Sequence, residues 1–324
     1  MTKIALIGSG QIGAIVGELC LLENLGDLIL YDVVPGIPQG KALDLKHFST
    51  ILGVNRNILG TNQIEDIKDA DIIVITAGVQ RKEGMTREDL IGVNGKIMKS
   101  VAESVKLHCS KAFVICVSNP LDIMVNVFHK FSNLPHEKIC GMAGILDTSR
   151  YCSLIADKLK VSAEDVNAVI LGGHGDLMVP LQRYTSVNGV PLSEFVKKNM
   201  ISQNEIQEII QKTRNMGAEI IKLAKASAAF APAAAITKMI KSYLYNENNL
   251  FTCAVYLNGH YNCSNLFVGS TAKINNKGAH PVEFPLTKEE QDLYTESIAS
   301  VQSNTQKAFD LIKAAALEHH HHHH

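Results

Sequence analysis

A histidine in a glycine-rich segment is the side chain of this sequence best suited to proton transfer. His174 lies in Gly172-Gly173-His174-Gly175-Asp176, directly after the apolar run Ala168 to Leu171. Imidazole has a reference pKa of about 6.5, so it exchanges a proton near neutral pH. Upstream, Asp147-Thr148-Ser149-Arg150 begins a helical pattern with a carboxylate and a guanidinium one turn apart. A lone histidine on a loop is usually a surface residue, but the glycine-flanked strand exit and Asp147 favour acid–base chemistry.

Two other polar segments follow strand-like runs in the first half. Arg81 to Arg87 is a loop with an arginine at each end and Gly84 as a flexible point between them. Ser118-Asn119-Pro120 follows the run Ala112 to Val117, and its Asn–Pro bond is a candidate cis peptide. The alternatives are a solvated surface residue for Arg81 and a plain turn residue for Asn119.

A glycine motif predicts a dinucleotide site near the N-terminus. Gly8-Ser9-Gly10-Gln11-Ile12-Gly13 follows the apolar run Lys3 to Ile7 and opens a helical pattern from Gln11 to Asn24. The first glycine permits a tight turn, the second lets backbone approach a pyrophosphate, and the third lets helix and strand pack closely. The helix N-terminus then offers free N–H groups to the phosphates. A GxGxxG alone is weak, so its position between strand and helix matters.

Asp32 strengthens this interpretation and favours NAD over NADP. It ends the next apolar run, Asp27 to Tyr31, where its carboxylate can accept hydrogen bonds from the adenosine ribose. The same carboxylate would repel a 2′-phosphate, and no Lys or Arg follows in Val33-Val34-Pro35. A solvated turn residue is the alternative. Thr76-Ala77-Gly78 and Val117 to Asn119 end later strands and should lie at the same carboxyl edge of the sheet.

The order of elements predicts an α/β fold, a Rossmann doubly wound parallel sheet followed by a mixed α+β catalytic domain. Asp71 to Thr76 and Ala112 to Val117 are rich in Ile and Val without alternation, as in strands buried on both faces. Helical patterns at about 36–47, 88–109 and 121–132 intervene. The NAD-binding domain is assigned to 1–143, ending at the glycine-rich segment Gly141 to Gly144.

The second half is predicted to be the catalytic and substrate domain, 144–313. A helix begins near Asp147, Asn188-Gly189 is a hairpin turn signal, and helices over about 203–245 are interrupted near Pro232. Strands at 251–259 and 265–272 precede a last helix at 287–313. Residues 314–324 are interpreted as vector sequence and a histidine tag outside the fold.

Composition excludes several classes of partner. The formal net charge is −1, and the chain is neutral without Glu318 of the tag segment, so no basic footprint for nucleic acid is present. No apolar run is long enough to span a membrane, and no signal peptide is recognised. The seven cysteines form no CxxC pair and favour reduced thiols in a cytoplasmic protein. The histidines outside the tag lack metal-ligand spacing, so no metal site is expected.

Taken together, four motifs resemble the lactate/malate dehydrogenase family. The Thr76-Ala77-Gly78 segment with its arginine loop, VSNPLD at 117–122, LDTSR at 146–150 and GGHGD at 172–176 occur in the family's order and approximate spacing. The resemblance covers residues 3 to 313. It implies an NAD-dependent oxidoreductase that acts on a small 2-hydroxyacid and assembles as a homo-oligomer, a tetramer or a dimer.

The resemblance also implies roles, each with a physical reason. His174 would remove the hydroxyl proton as the alcohol is oxidised, and Asp147 would hold its other ring nitrogen. Arg150 would bind the substrate's C1 carboxylate through its two-pronged guanidinium. Asn119 would hydrogen-bond the reacting oxygen, and Arg87 would polarise the carbonyl once its loop closes. The implied cofactor contacts are Gly8, Ser9, Gly10, Gln11, Ile12, Gly13, Asp32, Thr76, Ala77, Gly78, Asn94, Val117 and Asn119.

Arg81 distinguishes the substrates within the resemblance. Six residues before Arg87, the family has glutamine in lactate enzymes and arginine in malate enzymes. Malate carries a second carboxylate where lactate has a methyl group, and burying that charge without a cation is costly. The neighbouring Gln80 would favour lactate if it faced the substrate instead. Malate is therefore the expected substrate, lactate the alternative, and a non-catalytic NAD-sensing module a third hypothesis that the His174–Asp147 pair opposes.

Overall fold

The computed structural model describes residues 1–322; His323 and His324, the end of the predicted tag, lie outside the described residues. Helices and strands alternate through the first half of the chain and cluster by type in the second. The helices are α1 (Gln11–Leu22), α2 (Ile37–Leu52), α3 (Arg87–His108), α4 (Leu121–Ser132), α5 (Gly144–Leu159), α6 (Leu192–Lys197), α7 (Gln203–Ala224), α8 (Phe230–Leu244) and α9 (Lys288–His322). The strands are β1 (Lys3–Ile7), β2 (Asp27–Tyr31), β3 (Ile58–Thr61), β4 (Ile72–Ile75), β5 (Phe113–Cys116), β6 (Ile139–Gly141), β7 (Val166–Asn167), β8 (Ile170–Leu171), β9 (Val179–Pro180), β10 (Ser186–Val187), β11 (Val190–Pro191), β12 (Asn249–Asn258), β13 (Ser264–Asn275) and β14 (Gly278–Pro281).

Six parallel strands form the sheet of the first half, in the order β6-β5-β4-β1-β2-β3. Strands β4 and β5 are buried along their whole length, as their lack of alternation predicted. This confirms the predicted doubly wound Rossmann sheet. Strands β3 and β6 were missed, because runs of four and three residues are too short to show a period and form only against their neighbours.

The strands of the second half divide among three sheets: β7, β10 and β11 form a small sheet, β8 and β9 form a two-stranded one, and the rest extend the parallel sheet. Strands β12, β13 and β14 are antiparallel and join the parallel sheet at β6, where Ala254 pairs with Gly141, giving nine strands in all. A Cβ on Gly141 would lie 2.5 Å from Val125 Cγ2, so this position requires glycine for close packing. The glycine-rich segment at 141–144 is therefore a packed junction within the sheet, and the domain boundary placed there remains a prediction.

Two helix predictions were wrong in detail. The helical region at 203–245 is interrupted at residues 225–229, where Lys225 ends α7 with φ of +60°, and not at Pro232. Pro232 lies in the first turn of α8. The N–H groups of a first turn have no hydrogen-bond partner within the helix, so a proline there breaks no helical hydrogen bond. The last helix does not stop at 313 but continues to His322 through the predicted vector segment, because Ala314 to Glu318 are strong helix formers without a stop signal.

The hairpin signal is confirmed. Asn188 and Gly189 have φ of +49° and +84°, and they connect the antiparallel strands β10 and β11. Both central residues of such a turn need positive φ, which Asn and Gly adopt most readily. The predicted strand over 168–171 is shorter than expected, with only Ile170 and Leu171 paired.

The core lies on both faces of the nine-stranded sheet. One face is covered by α1 and α8, and the other by α3 and α4, on which α9 packs through Ala308 and Ile312. The seven cysteines are all buried as free thiols. Within residues 1–322, no helix combines the length and the apolar character needed to cross a bilayer.

A buried asparagine joins α4 to strand β13. The Asn126 amide donates to Phe267 O at 2.9 Å, and its Oδ1 accepts from Phe267 N at 2.9 Å. The same amide nitrogen donates to Asp122 O at 2.8 Å. Asn126 thus satisfies two backbone groups of Phe267 where β13 has no strand partner on that side.

Replacing this side chain should destabilise the protein markedly. We expect Asn126→Ala to lower the free energy of unfolding by about 2–4 kcal/mol, because two buried backbone groups of Phe267 lose their partners. Urea denaturation followed by circular dichroism measures this loss. Asn258→Ala, at the exposed end of β12, is the matched control and should change stability by less than about 0.5 kcal/mol. Equal losses for the two variants would contradict the bridging role.

Candidate active site

The glycine motif forms a tight turn between β1 and α1. Gly8 has φ of +111°, and a Cβ there would lie 2.4 Å from Thr76 Oγ1. A Cβ on Gly13 would lie 2.3 Å from Gly8 O, so helix and turn touch directly. A Cβ on Gly10 would have no other atom within 4 Å. The turn therefore leaves the N-terminus of α1 open with free N–H groups, which fits a pyrophosphate.

All three polar atoms of Ser9, its N, O and Oγ, form hydrogen bonds within this turn. Its N–H donates to Asp32 Oδ2 at 2.9 Å, and its hydroxyl donates to Tyr31 O at 3.1 Å. Lys41 Nζ donates to Ser9 O from α2. The other Asp32 oxygen, Oδ1, accepts from Val34 N at 3.1 Å. Asp32 thus directly follows β2 and lies beside the motif.

Lys41 was missed by the sequence analysis. The residues directly after Asp32, Val33-Val34-Pro35, include no cation, but Lys41 lies nine residues after Asp32, within α2. The start of α2 carries this ammonium back to the glycine motif. A cation consequently lies at the same turn as the Asp32 carboxylate, through contacts with Ser9.

The remaining predicted cofactor residues gather at the same sheet edge. Thr76 Oγ1 lies 3.3 Å from Gly8 O, and Val117 N donates to Ile75 O at 2.8 Å. Asn94 is buried in α3 and uses its amide on backbone, accepting from Val79 N and donating to Val79 O and Asn119 O. Its contribution in this structure is to hold together the loops that follow β4 and β5.

A cavity of about 320 Å³ lies beside this edge. Of the predicted chemical residues it is lined by Arg81, Arg87, Asn119 and His174, which come from three separate segments of the chain. Gln80, the alternative to Arg81, is not among the residues that line this cavity in the described part of the chain. The other lining residues are Leu90, Pro120, Leu121, Asp122, Ile123, Gly173, Gly175, Asp176, Leu177, Ser297, Ser300, Val301 and Asn304.

His174 and Asp147 form a direct pair. His174 Nδ1 lies 2.9 Å from Asp147 Oδ2, with the Asp147 side chain 3% exposed and the His174 side chain 32% exposed toward the cavity. The loop after β8 presents the ring, and the first turn of α5 presents the carboxylate. Because Nδ1 is occupied, Nε2 is the ring nitrogen left for a substrate proton.

The surroundings of the ring raise its proton affinity. Desolvation alone lowers the pKa of the His174 imidazole, but the hydrogen bond that its Nδ1 donates to Asp147 and the charges of Asp147 and Asp122 act more strongly in the other direction. Arg150 opposes them weakly. The pKa of His174 is therefore raised, and the protonated ring is stabilised at neutral pH.

Arg150 lies one helical turn after Asp147 on α5. Burial lowers the pKa of its guanidinium, and the Asp147 charge partly offsets that effect; a guanidinium nevertheless keeps its charge in proteins. No ion pair joins Arg150 to Asp147 among the described residues, and Asp147 Oδ1 has no hydrogen-bond partner there. The alternative of a surface salt bridge between these two residues is therefore not what the structure has. Arg150 lies close enough to influence His174 but is absent from the lining of the cavity among residues 1–322.

The arginine loop ends in a capped helix. Thr86 Oγ1 accepts from Asp89 N at 3.0 Å, Asp89 Oδ2 accepts from Thr86 N at 2.9 Å, and this capping box starts α3 at Arg87. Arg87 is thereby on a fixed helix end, while Arg81 precedes it on an exposed loop containing Gly84 with φ of +80°. Both arginines are among the residues that line the cavity shared with His174.

Five lining residues carry polar side chains that the sequence analysis did not assign. Asp122 and Asp176 belong to the VSNPLD and GGHGD segments but received no role, and Ser297, Ser300 and Asn304 lie on α9, far away in sequence. Periodicity places such residues on a helix but cannot say which other element they face.

The Asn119–Pro120 peptide is cis, as the sequence suggested.

A Rossmann sheet with this glycine turn, and a paired histidine opening into a polar cavity at its edge, define a nicotinamide-dependent oxidoreductase. The family models agree in both halves. Residues 2–141 match the lactate/malate dehydrogenase NAD-binding domain, and residues 145–312 match the lactate/malate dehydrogenase α/β C-terminal domain. The chain belongs to the lactate/malate dehydrogenase family, which confirms the resemblance and the NAD cofactor.

Solved structures of lactate and malate dehydrogenases are similar to this chain over nearly their whole length. A malate dehydrogenase from Plasmodium falciparum is 99% identical with a TM-score of 0.94, and the match covers 96% of this chain and 100% of that one. A complex of Plasmodium falciparum malate dehydrogenase with NADH is 96% identical, with a TM-score of 0.92 and coverage of 96% and 100%. A lactate dehydrogenase from Eimeria maxima with NADH and oxamate is 43% identical, with a TM-score of 0.93 and coverage of 99% and 97%.

The surroundings of Asp32 predict a switch in cofactor preference. We expect Asp32→Asn to weaken NADH binding about tenfold and to improve NADPH binding, because the repelling charge is lost while Lys41 remains. Fluorescence titration of each nucleotide gives both dissociation constants. Asp165→Asn, at an exposed position before β7, is the matched control and should change neither. Continued exclusion of NADPH by Asp32→Asn would show that Asp32 does not select the cofactor.

Proposed function

We propose that this protein catalyses the reversible NAD-dependent oxidation of (S)-malate to oxaloacetate. The observation that carries the proposal is that Arg81 lines the cavity into which His174 opens. Support also comes from the Plasmodium falciparum malate dehydrogenase that is 99% identical to this chain.

A dicarboxylate needs cations at both of its ends. Arg150 is the candidate for the C1 carboxylate, and its partly buried guanidinium, free of an ion pair with Asp147 among the described residues, suits a two-pronged bond. Arg81 is the candidate for the far carboxylate, where malate differs from lactate. An unpaired carboxylate in a closed cavity is costly, and so is an arginine facing a methyl group. The charges of the site therefore favour malate.

His174 supplies the acid–base step. In malate oxidation His174 Nε2 takes the hydroxyl proton, and in oxaloacetate reduction it returns that proton to the carbonyl oxygen. Asp147 keeps Nδ1 bonded and stabilises the protonated ring. When bound, NAD supplies the hydride-accepting ring, chemistry that no side chain provides. The fixed turn around Ser9 and the carboxylate of Asp32 would hold the adenosine end of the nucleotide.

Asn119 and Arg87 are assigned to the reacting oxygen. Asn119 lines the cavity while its own carbonyl is held by the Asn94 amide at 2.7 Å, so the side chain is presented from a fixed backbone. Arg87 approaches from the start of α3 and would stabilise the charge that develops on the oxygen. Closing the loop that carries Arg81 and Gly84 would exclude water around these groups.

We also propose a cytoplasmic homo-oligomer, a tetramer or a dimer. Helix α2 exposes Leu43, Ile51 and Leu52, with Ile51 87% exposed, an apolar surface suited to contact with another copy. Seven free thiols in the core are suited to a reducing compartment.

Steady-state assays with oxaloacetate and pyruvate test the substrate. The wild-type enzyme should reduce oxaloacetate with NADH far faster than pyruvate; equal or faster turnover of pyruvate would identify a lactate dehydrogenase instead.

Arg81→Gln should lower kcat/KM for oxaloacetate about a hundredfold or more and raise it for pyruvate, because the partner of the far carboxylate is lost. Lys82→Gln removes a charge from the same loop outside the cavity lining and is the control. Equal damage to both substrates by Arg81→Gln would make Arg81 structural.

Loss of the imidazole should separate chemistry from binding. We expect His174→Asn to lower turnover of oxaloacetate by about 10²- to 10⁴-fold, because the proton carrier is removed. NADH affinity, measured by fluorescence, should stay near the wild-type value, since the glycine turn lies on other elements. His136→Asn, at an exposed position before β6, serves as the control. Activity retained in His174→Asn would rule out the assigned role.

A further inference from the structure

A second buried carboxylate lies directly against His174. Asp122 is in the first turn of α4 and is 6% exposed. Its Oδ2 accepts from the backbone N–H of His174 at 2.8 Å, across 52 residues of sequence. Asp147 holds the ring of the same residue and Asp122 holds its main chain. The histidine is thus bonded by two buried carboxylates from two different helices.

The backbone around His174 depends on side chains for its hydrogen bonds. Gly173 N donates to Ser297 Oγ of α9 at 2.8 Å, immediately before the bond from His174 N to Asp122. Strand β8 ends at Leu171, so these two N–H groups lie beyond the sheet ladder. Asp122 therefore fixes where the main chain of His174 lies, and through it where the ring enters the cavity.

The charges that face the imidazole come from several elements. Asp147 and Arg150 face it from α5, Asp122 faces it from α4, and Arg81, Arg87 and Asp176 line the shared cavity. Asp122 raises the pKa of His174. Burial raises the pKa of the Asp122 carboxyl above its ordinary value, with a smaller contribution from the Asp147 charge, while the hydrogen bond from His174 N and the charge of the His174 ring act in the lowering direction. Carboxylate and protonated imidazole consequently stabilise one another, although they share no side-chain hydrogen bond.

Asp122 also lies close in sequence to a substrate-facing residue. It follows Asn119 by three positions, so the segment that enters α4 carries both the amide that lines the cavity and the carboxylate that bonds His174. A displacement of this segment would move both groups together.

We propose that Asp122 is a positioning residue for the dehydrogenase reaction, which fixes the main chain of His174 and supplies a second negative charge for its protonated ring. The inference rests on the proposed function in that His174 is taken as the proton carrier. The two parts of the role are separable by substitution. Asp122→Asn keeps an oxygen that can accept from His174 N and removes only the charge, whereas Asp122→Ala removes both.

Nuclear magnetic resonance of the histidine rings in the full-length protein tests the charge directly. The His174 ring signals, assigned with His174→Asn, should titrate about one pH unit lower in Asp122→Asn than in the wild type. The falling limb of the pH profile of kcat/KM for oxaloacetate should move to lower pH by the same amount, because reduction requires the protonated ring. Below that limb Asp122→Asn should keep near wild-type rates. Asp122→Ala should lose about tenfold or more at every pH with KM for NADH unchanged.

Asp157→Asn, an exposed carboxylate on α5, is the matched control and should leave the His174 titration and the pH profile unchanged. An unshifted His174 titration in Asp122→Asn would overturn the charge role, and a rate loss in Asp122→Asn as large as in Asp122→Ala at every pH would overturn rescue by the amide. Should Asp122→Ala not fold, Asp122→Asn alone decides the charge. A wild-type protein unable to reduce oxaloacetate would refute the proposed function, while the ring titration would still report on Asp122.

Discussion

The active site depends on one hydrogen bond, between His174 Nδ1 and Asp147 Oδ2. A buried carboxylate is costly unless it is paired, and the other oxygen of Asp147 has no hydrogen-bond partner among the described residues. The imidazole is thus the chief compensation for the Asp147 charge, and the Asp147 charge is the chief reason that the ring holds its proton. Each group therefore stabilises the charged form of the other, and replacing either one alone removes that stabilisation.

The fold brings the two partners together through the continuous sheet. Strands β12 and β13 extend the parallel sheet at β6, and Gly172 N donates to Gly269 O of β13 at 2.9 Å just before the histidine loop. Helix α4 bonds to the same strand through Asn126. The nucleotide end and the chemical end of the site are therefore built on one continuous sheet, and the arginine loop is an exposed segment beside it.

Much of this was accessible from the sequence because it depends on local patterns. The Rossmann sheet, the family and the NAD cofactor were predicted and are confirmed by the topology and by the family models. The glycine motif and the Asn188-Gly189 turn have physical requirements that few residue types meet. The errors were local too: the interruption assigned to Pro232 lies at 225–229, and the last helix passes residue 313. Proline is tolerated in a first turn, and a helix without a stop signal continues.

The sequence by itself determined the fold class and which side chains could carry the chemistry, since glycine turns, apolar runs and motif spacing act over a few residues. Only the tertiary structure decided that Asp122 bonds the main chain of His174 and that Lys41 contacts Ser9. It also decided that strands of the second half complete the first half's sheet. These contacts join residues dozens of positions apart, and periodicity shows which face a residue occupies but not which element packs against that face.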